Sequence, residues 1–511
     1  NLTLAANAIS ANVTYGQIPA ILKVDGVKKV VVETKYSPAV YSTDSADPEM
    51  ATSGEMIGSG AAWANGYTGA GSRVAIIDTG LDLDHEMVDA DAFEFSLAVK
   101  AAVNKQKAAA YIESLDLLDE DEIDGVFEQL NAQVNAEVAA EDLYNTSKVP
   151  YVFNYIDQNT NGTHDYDSQG DHGSHVSGIA AANKYVKNAS GKYVASLTST
   201  FVQGVAPDAQ ILVMKVFGEG GGAYDSDYMA AIEDALILRA DSVNLSLGSA
   251  APGFSVDFDG DSEYAAEGLN AYGNDYFLDI LDSLEDSDTV VSISAGNAYS
   301  YAYNSTYGYL YAEDVNFDTV GSPGSYTNAL TVASANNTGT TGYAMTASDG
   351  SAIFYTETDG YGNAPLTSLA SETPYTYIAI DGVGTDAQWA ALKDVLPGNI
   401  AVCSRGTTSF YEKANAAVAN GAVATLIYNN TSGTISMNLT GYSYSAPAVS
   451  LTQADGALLK ALGEQKTITV DGADVSYYEG TITITDTVSI LPGEEDAVVG
   501  MSNFSSFGVP S

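Results

Sequence analysis

The sequence predicts an α/β fold: a parallel sheet flanked by helices, joined to a smaller β-rich domain. Three observations carry this. Val74-Ala-Ile-Ile77, Ile211-Leu-Val-Met-Lys-Val216, Ser242-Val-Asn-Leu-Ser246 and Thr289-Val-Val-Ser-Ile293 are short, continuous apolar runs. Alternating patterns would mark a sheet with one wet face, whereas continuous ones mark strands buried on both sides. Between about residues 55 and 335 these runs alternate with helical patterns, of which Tyr228 to Ala240 is the clearest. Residues 337–488 change texture to Gly, Thr, Ser and Tyr, with a strand–helix–strand pattern around Ile400 to Tyr428.

The remaining elements follow in chain order. Ala20 to Glu33 reads as a strand rich in lysine, and the polar stretch Ser42 to Ser53 as a linker. Asn1 in place of Met is read as the removal of an upstream segment. Ala90 to Leu143, rich in Ala, Glu, Asp and Leu, is expected to be a helical insertion forming a solvated surface excursion. After residue 488, Met501-Ser-Asn-Phe-Ser-Ser-Phe507 returns to the texture of the first domain.

Composition narrows the function. The 511 residues exceed what one core usually serves, and 45% of them are hydrophobic, enough for sizeable cores. Asp and Glu number 66 against 19 Lys and Arg, a net charge of −47. Such a field repels phosphate backbones and anionic lipid, which excludes nucleic-acid partners and a membrane-surface role. No apolar run is long enough to span a membrane. The single cysteine, Cys403, forbids an internal disulfide and a cysteine-built metal site. A large acidic chain with no disulfides suits a bacterial extracellular enzyme, with a cytosolic one as the alternative, and the resemblance described below widens this to a secreted or cell-surface protein.

All four histidines fall between His85 and His175. The run Val74 to Ile77 ends in Asp78-Thr-Gly80, which sets a carboxylate at the C-terminal end of a parallel strand, where open α/β sheets place their sites. Further on, Asp171-His-Gly-Ser-His-Val-Ser-Gly178 leads into small residues, a pattern for a helix whose first turn presents His172. Taken singly, these are a strand-end turn residue and a helix-start histidine.

Taken together, Val74 to Gly80, His172 to Gly178, Gly204-Val-Ala-Pro207 and Ser294-Ala-Gly-Asn297 resemble the blocks of the subtilisin-like serine proteases, in that family's order. The resemblance implies that His172 is the general base, that Asp78 orients it, and that Asn297 donates a hydrogen bond to the oxyanion. It makes His175 the motif's second, non-catalytic histidine, expected to be buried. Ser246-Leu247-Gly248 resembles the segment along which an extended substrate pairs as an added strand, which implies a protein or peptide substrate. Residues 12–37 resemble the tail of a subtilase propeptide, with a maturation junction between about Ser37 and Glu55.

Gly398 to Gly406, Phe410-Tyr-Glu-Lys413 and Ala424 to Asn430 are similar to a protease-associated domain, which larger subtilases insert between the oxyanion asparagine and the nucleophile. The arrangement resembles bacterial cell-envelope subtilases such as lactocepins. It divides the chain into a propeptide remnant and linker over 1–50, a subtilisin-like catalytic domain over 51–336 and 489–511, interrupted by the insertion at about 90–150, and a protease-associated domain over 337–488.

The family also requires a serine in a Gly-Thr-Ser-Met-Ala-like block, and none occurs here. Gly406-Thr-Thr-Ser409 lies in the inserted domain and lacks the following small-residue helix, so Ser409 is rejected as nucleophile. Phe504-Ser-Ser-Phe-Gly508 resembles the segment just upstream of the missing block. The expected partner is therefore a C-terminal fragment of the same protease carrying the serine, without which this chain is inactive. Two rivals differ in class. Asp78, His85, His172 and His175 would form a metal site, but the histidine spacing lacks the glutamate of a zinc-protease helix. A non-catalytic binding scaffold of the same fold is the other. No cofactor is required by the mechanism. Calcium is a candidate at Asp157, Asn159 and Asn161, which alternate before Gly162 as in the start of an EF-hand loop, although Ser168 stands where a glutamate is needed. Asp257 to Asp261 is a second acidic turn of the same kind.

Overall fold

A computed structural model describes residues 2, 7–28, 30, 33, 35–38, 50–134, 137–199, 202–248, 287–297, 301–304, 308–311, 320–325, 330–358, 360–431, 435, 437–491, 499–502 and 505–506. The acidic turn Asp257 to Asp261, most of the Ser42 to Ser53 linker, and Phe504, Phe507 and Gly508 lie outside them. The chain forms two compact units, residues 1–338 with 493–511, and residues 339–492.

The first unit is built on six parallel strands: β1 (Arg73–Asp78), β2 (Tyr151–Asn154), β3 (Gln210–Lys215), β4 (Ser242–Leu245), β5 (Val290–Ser294) and β6 (Leu330–Val332). Their order across the sheet is β6-β5-β4-β1-β3-β2. The chain lays β2 and β3 on one side of β1 and β4 to β6 on the other, so the connections reverse direction at β1. Crevices form outside the carboxyl ends of strands at such a reversal, and Asp78 closes β1 there.

Continuous apolar runs are explained by two cores. Ala75 and Ile77 of β1 pack with Leu212, Met214, Val243 and Leu245 into one, with Met229 and Ile232 of helix α3 (Asp225–Ile237). Ile76, between them, faces the other with Val152, Ile211 and Val213, where Ala181 of helix α2 (His172–Ala181) lies. Alternate residues of one strand thus serve opposite faces, and each large apolar side chain fully buried there contributes about 1.5–3 kcal/mol. Helix α3 starts three residues before the predicted Tyr228, because the Asp227 carboxylate accepts the Tyr224 N–H at 2.9 Å and caps the first turn.

Two expectations are corrected here. The insertion is helical, opening with α1 (Ala90–Val103), but it is not a solvated excursion. Leu118, Ile123, Leu130 and Leu143 enter the same core as α3, and Phe93 and Leu97 are fully buried. The amino-terminal segment read as a strand is helical at Ile18–Ile21, where Pro19 favours a helix start, and continues into a turn over residues 22–26.

The second unit holds a mixed sheet of β7 (Thr340–Ala347), β8 (Ala352–Phe354), β9 (Tyr375–Ala379), β10 (Ile400–Ser404), β11 (Ala424–Tyr428), β12 (Ala448–Leu451), β13 (Glu464–Val470) and β14 (Ala473–Leu491). The order is β8-β7-β14-β9-β10-β11-β12, with β13 on the long β14, and β9 to β12 are mutually parallel. Helices α4 (Phe410–Ala419) and α5 (Gln453–Leu462) make the crossovers β10 to β11 and β12 to β13. Cys403 is fully buried on β10, and burial pushes its thiol up to about 12.

Candidate active site

The carboxylate of Asp78 and the imidazole of His172 meet. Oδ1 of Asp78 lies 2.8 Å from Nδ1 of His172 and also accepts the Thr79 N–H at 2.7 Å. An oxygen that already accepts one N–H from the chain accepts another from the ring, so Nδ1 carries the proton and Nε2 of the neutral imidazole is left as a base. The Asp78 side chain is 1% exposed and that of His172 15%. The acid is shielded from water while the ring still reaches the crevice.

The local sequence explains this approach. Gly80, with φ of +105°, turns the chain sharply after the strand, and Gly173 starts the facing helix. A Cβ on Gly173 would stand 2.2 Å from the Gly80 carbonyl oxygen, and one on Gly80 would stand 2.3 Å from that of Gly162. Both contacts are backbone against backbone and cannot yield by rotamer change. The Gly173 N–H donates to Thr79 Oγ1 at 2.8 Å, and the Asp82 N–H to Ser174 Oγ at 2.8 Å, so turn and helix clasp each other. Gly173→Ala is accordingly expected to force the helix off the turn, costing about 1–3 kcal/mol or more. Thermal unfolding of the chain should show a melting temperature several degrees lower, and an unchanged value would contradict this packing.

Behind the pair sits an ion pair that inspection of the sequence did not single out. Lys215 is in register with Asp78 on the neighbouring strand, and its Nζ lies 2.8 Å from Oδ2 of Asp167, the side chains being 1% and 2% exposed. The same ammonium donates to the Thr79 carbonyl. A buried charge persists only when so compensated, and here the compensation fixes the Asp78–Gly80 turn from beneath. The signal in the sequence was a lysine inside the apolar run Ile211 to Val216. The block Gly204 to Pro207 zips onto the far end of α2: Gly204, Val205 and Ala206 donate their N–H groups to the carbonyls of Ala182, Ile179 and Ala180.

The other predicted residues lie as follows. Asn297 is exposed just after β5, in a turn set by Gly296 with φ of +102°, and Ser506 donates its N–H to the Gly296 carbonyl at 2.9 Å. Ser246 accepts from Asn244 Nδ2 at 2.9 Å, and Leu247–Gly248 is paired antiparallel with Ser37–Pro38, in the register Ser37 with Gly248 and Pro38 with Leu247. The strand read as a substrate ledge is therefore filled by an amino-terminal segment of the same chain. Asp157 accepts the N–H groups of Glu219 and Gly220 and an amide hydrogen of Asn154, each at 2.9 Å, which folds the 218–221 turn onto it. Asn159 accepts the Asn161 N–H at 2.9 Å. The carboxylate of Asp157 and the amide oxygen of Asn159 thus accept from N–H donors.

The histidines do not gather as ligands. Nδ1 of His85 accepts the Met87 N–H at 3.1 Å, capping a short helical turn. His175 is exposed rather than buried, because the buried face of α2 runs through Gly173, Ser177, Gly178 and Ala181, and residue 175 falls outside it. Among the described residues no group of three or more His, Cys, Asp or Glu could hold a metal ion. Ser409 is the N-cap of α4, its N–H donating to Glu412 Oε2 at 3.2 Å, a structural role.

The profile of a family described as Subtilase family, Peptidase_S8, matches residues 69–463. The chain is 28% identical over 515 residues to the PII-type proteinase of Lacticaseibacillus paracasei, covering 98% of this chain and 23% of that protein. It is 28% identical over 502 residues to the minor extracellular protease Vpr of Bacillus subtilis, covering 95% of this chain and 49% of that one. With the C5a peptidase of Streptococcus pyogenes the identity is 28% over 449 residues, 86% of this chain and 31% of the other. The chain thus spans a quarter to a half of the length of these relatives.

Proposed function

The chain belongs to the subtilase family, and on that premise we propose that it supplies three of the four working groups of a serine endopeptidase. His172 is the base, Asp78 its orienter and Asn297 an oxyanion donor, while the nucleophilic serine comes from a segment outside these 511 residues. The observation that carries this is the 2.8 Å contact between Asp78 Oδ1 and His172 Nδ1 at the rim where the sheet connections reverse.

In this reading Nε2 of His172 takes the serine proton as the hydroxyl oxygen attacks the peptide carbonyl carbon. Asp78 stabilises the imidazolium that forms, and the Asn297 amide donates to the carbonyl oxygen as it becomes an oxyanion. His172 then returns the proton to the leaving amine, and the acyl-enzyme is hydrolysed by a water activated by the same ring. Two observations support a nucleophile from elsewhere. The sequence has no Gly-Thr-Ser-Met-Ala-like block. The last strand, β6, exposes Leu330 by 55% and Val332 by 51%, apolar surface that suits a covering segment.

Ser37 and Pro38 pair as an added strand with Leu247–Gly248, the stretch read as a substrate ledge, which supports their reading as part of a propeptide that holds the protease as a zymogen. The second unit, residues 339–492, is read as a protease-associated domain. Kinship with the extracellular protease Vpr of Bacillus subtilis supports extracellular or cell-surface placement in a bacterium.

A serine-directed fluorophosphonate tests the assignment. Incubated with the protein isolated from its source, it should abolish peptide hydrolysis and label a serine outside residues 1–511, with chelation of metals leaving activity intact. Absence of label would favour a non-catalytic scaffold, and loss under chelation a metal site. Asn297→Ala is expected to lower kcat by roughly 10²–10³ with KM little changed. Steady-state kinetics showing a normal kcat would remove Asn297 from the oxyanion site.

A further inference from the structure

Three asparagines are followed by glycine: Asn65, Asn161 and Asn420. At such a pair the glycine nitrogen, with no Cβ beside it, can approach the asparagine side-chain carbonyl carbon and close a succinimide ring. In a folded chain this depends on what holds the two groups. At Asn65 and Asn420 both are held. Asn65 Nδ2 donates to the Ala61 carbonyl at 2.8 Å, and the Gly66 N–H to that of Trp63 at 2.9 Å. Asn420 Nδ2 donates to the Ala416 carbonyl at 2.8 Å, and the Gly421 N–H to that of Val418 at 3.0 Å. Each of these asparagines closes a helix, so the ring can form only after that helix end has opened.

Asn161 differs. It is exposed, and among the described residues neither its side-chain amide nor the Gly162 N–H has a hydrogen-bond partner. The surrounding backbone is nevertheless fixed. The Asn161 N–H donates to Asn159 Oδ1 at 2.9 Å, and the Gly162 carbonyl accepts the Leu81 N–H at 2.8 Å. Gly162 is buried, wedged between Val152 of β2 and the turn that carries Asp78. A Cβ on Gly162 would stand 2.2 Å from Val152 Cγ1, and one on Gly80 would stand 2.3 Å from the Gly162 carbonyl oxygen. The attacking nitrogen is thus unrestrained at a point where the chain has no room for a change in its own length.

We propose that Asn161 is a site of spontaneous modification that limits the working life of the protease. The Gly162 nitrogen bonds to Cγ of Asn161, the Cγ–Nδ2 bond breaks, and the proton of that nitrogen leaves with the amide as ammonia. Water then opens the succinimide at either carbonyl. Cleavage of the ring bond at Cγ gives aspartate. Cleavage at the main-chain carbonyl gives isoaspartate, whose chain runs through the former side chain and is longer by one methylene. Gly162 then cannot keep both its place against Val152 and its hydrogen bond with Leu81, and the Asp78–Gly80 turn loses its support. The aspartate product keeps the main chain and spares the turn. The loss of activity rests on the endopeptidase reading above; the modification itself does not.

The test ages the assembled protease at mildly alkaline pH and follows two readouts. The first is a peptide map by mass spectrometry, with isoaspartate counted by an isoaspartyl methyltransferase and a labelled methyl donor. Isoaspartate should form at residue 161 about tenfold faster than at residues 65 and 420, the handicap of giving up a hydrogen bond at those two. Isoaspartate spread evenly over the three pairs, or absent from residue 161, would overturn the assignment. The second readout is peptide hydrolysis, which should fall in step with isoaspartate at residue 161 and not with aspartate there. Repair by the methyltransferase with S-adenosylmethionine should restore it. Asn161→Ser, which has no side-chain amide, should hold its own starting rate over the period in which the unsubstituted protein declines. An equally fast decline in Asn161→Ser, or no recovery on repair, would sink the proposed effect on the turn. Should the protein hydrolyse no peptide at the outset, the endopeptidase reading fails, while the map still decides the modification.

Discussion

His172→Ala, introduced into the assembled protease, is expected to lower kcat by a factor on the order of 10⁶, with KM nearly unchanged. The reasoning starts from Oδ1 of Asp78. That oxygen accepts both the Thr79 N–H and the ring N–H of His172, which fixes the proton on Nδ1 and leaves Nε2 as the basic nitrogen of the ring. His85 and His175 hold other places, His85 capping a turn and His175 standing outside the buried face of its helix. In the proposed reading a substrate would pair along Leu247–Gly248, as Ser37–Pro38 does, without using the imidazole, so binding should survive. What remains is the slow reaction supported by substrate binding and the oxyanion donor alone. Steady-state kinetics on a quenched peptide check this, and a variant retaining even a hundredth of the normal kcat would move the base elsewhere.

Strands β1 and β3 were legible because each is a continuous apolar run, the signature of burial on two faces, and β4 and β5 were legible although they bury only alternate residues, Val243 with Leu245 and Val291 with Ile293. β2 and β6 were not, because Tyr151–Asn154 is four residues behind a proline and Leu330–Val332 only three, too short for any period to emerge. The insertion misled for a related reason. Leu118, Ile123, Leu130 and Leu143 are spread over several short turns, so no single helix displays the apolar stripe that they form together in space. At the site, Asp78 and His172 were legible from their motifs and order. Lys215, Asp167 and Thr79 were not, since their meeting depends on the register of Asp78 with Lys215, which only the assembled sheet defines. The filling of the Leu247–Gly248 ledge by Ser37–Pro38 is equally a property of the fold, as some two hundred residues separate the two.

Asp78→Asn is expected to cost roughly 10⁴ in kcat while leaving the fold intact. The amide has two ways to sit, and both fail. With its oxygen in the Oδ1 position it still accepts from Thr79 and His172, but the NH₂ then occupies the buried Oδ2 position, where the carboxylate oxygen has no hydrogen-bond partner. The imidazolium formed in the reaction would also face a neutral group. Turned over, the NH₂ opposes the Thr79 N–H and offers His172 a donor, driving the ring to the tautomer with its proton on Nε2, which cannot act as a base. Because Asp78 works only through His172, the two losses should not add. The double variant carrying His172→Ala and Asp78→Asn should be no slower than His172→Ala alone, the behaviour of residues acting as one unit. Kinetics in which the double variant fell by the product of the two factors would mean that Asp78 touches the reaction independently, and the dyad as drawn here would have to be abandoned.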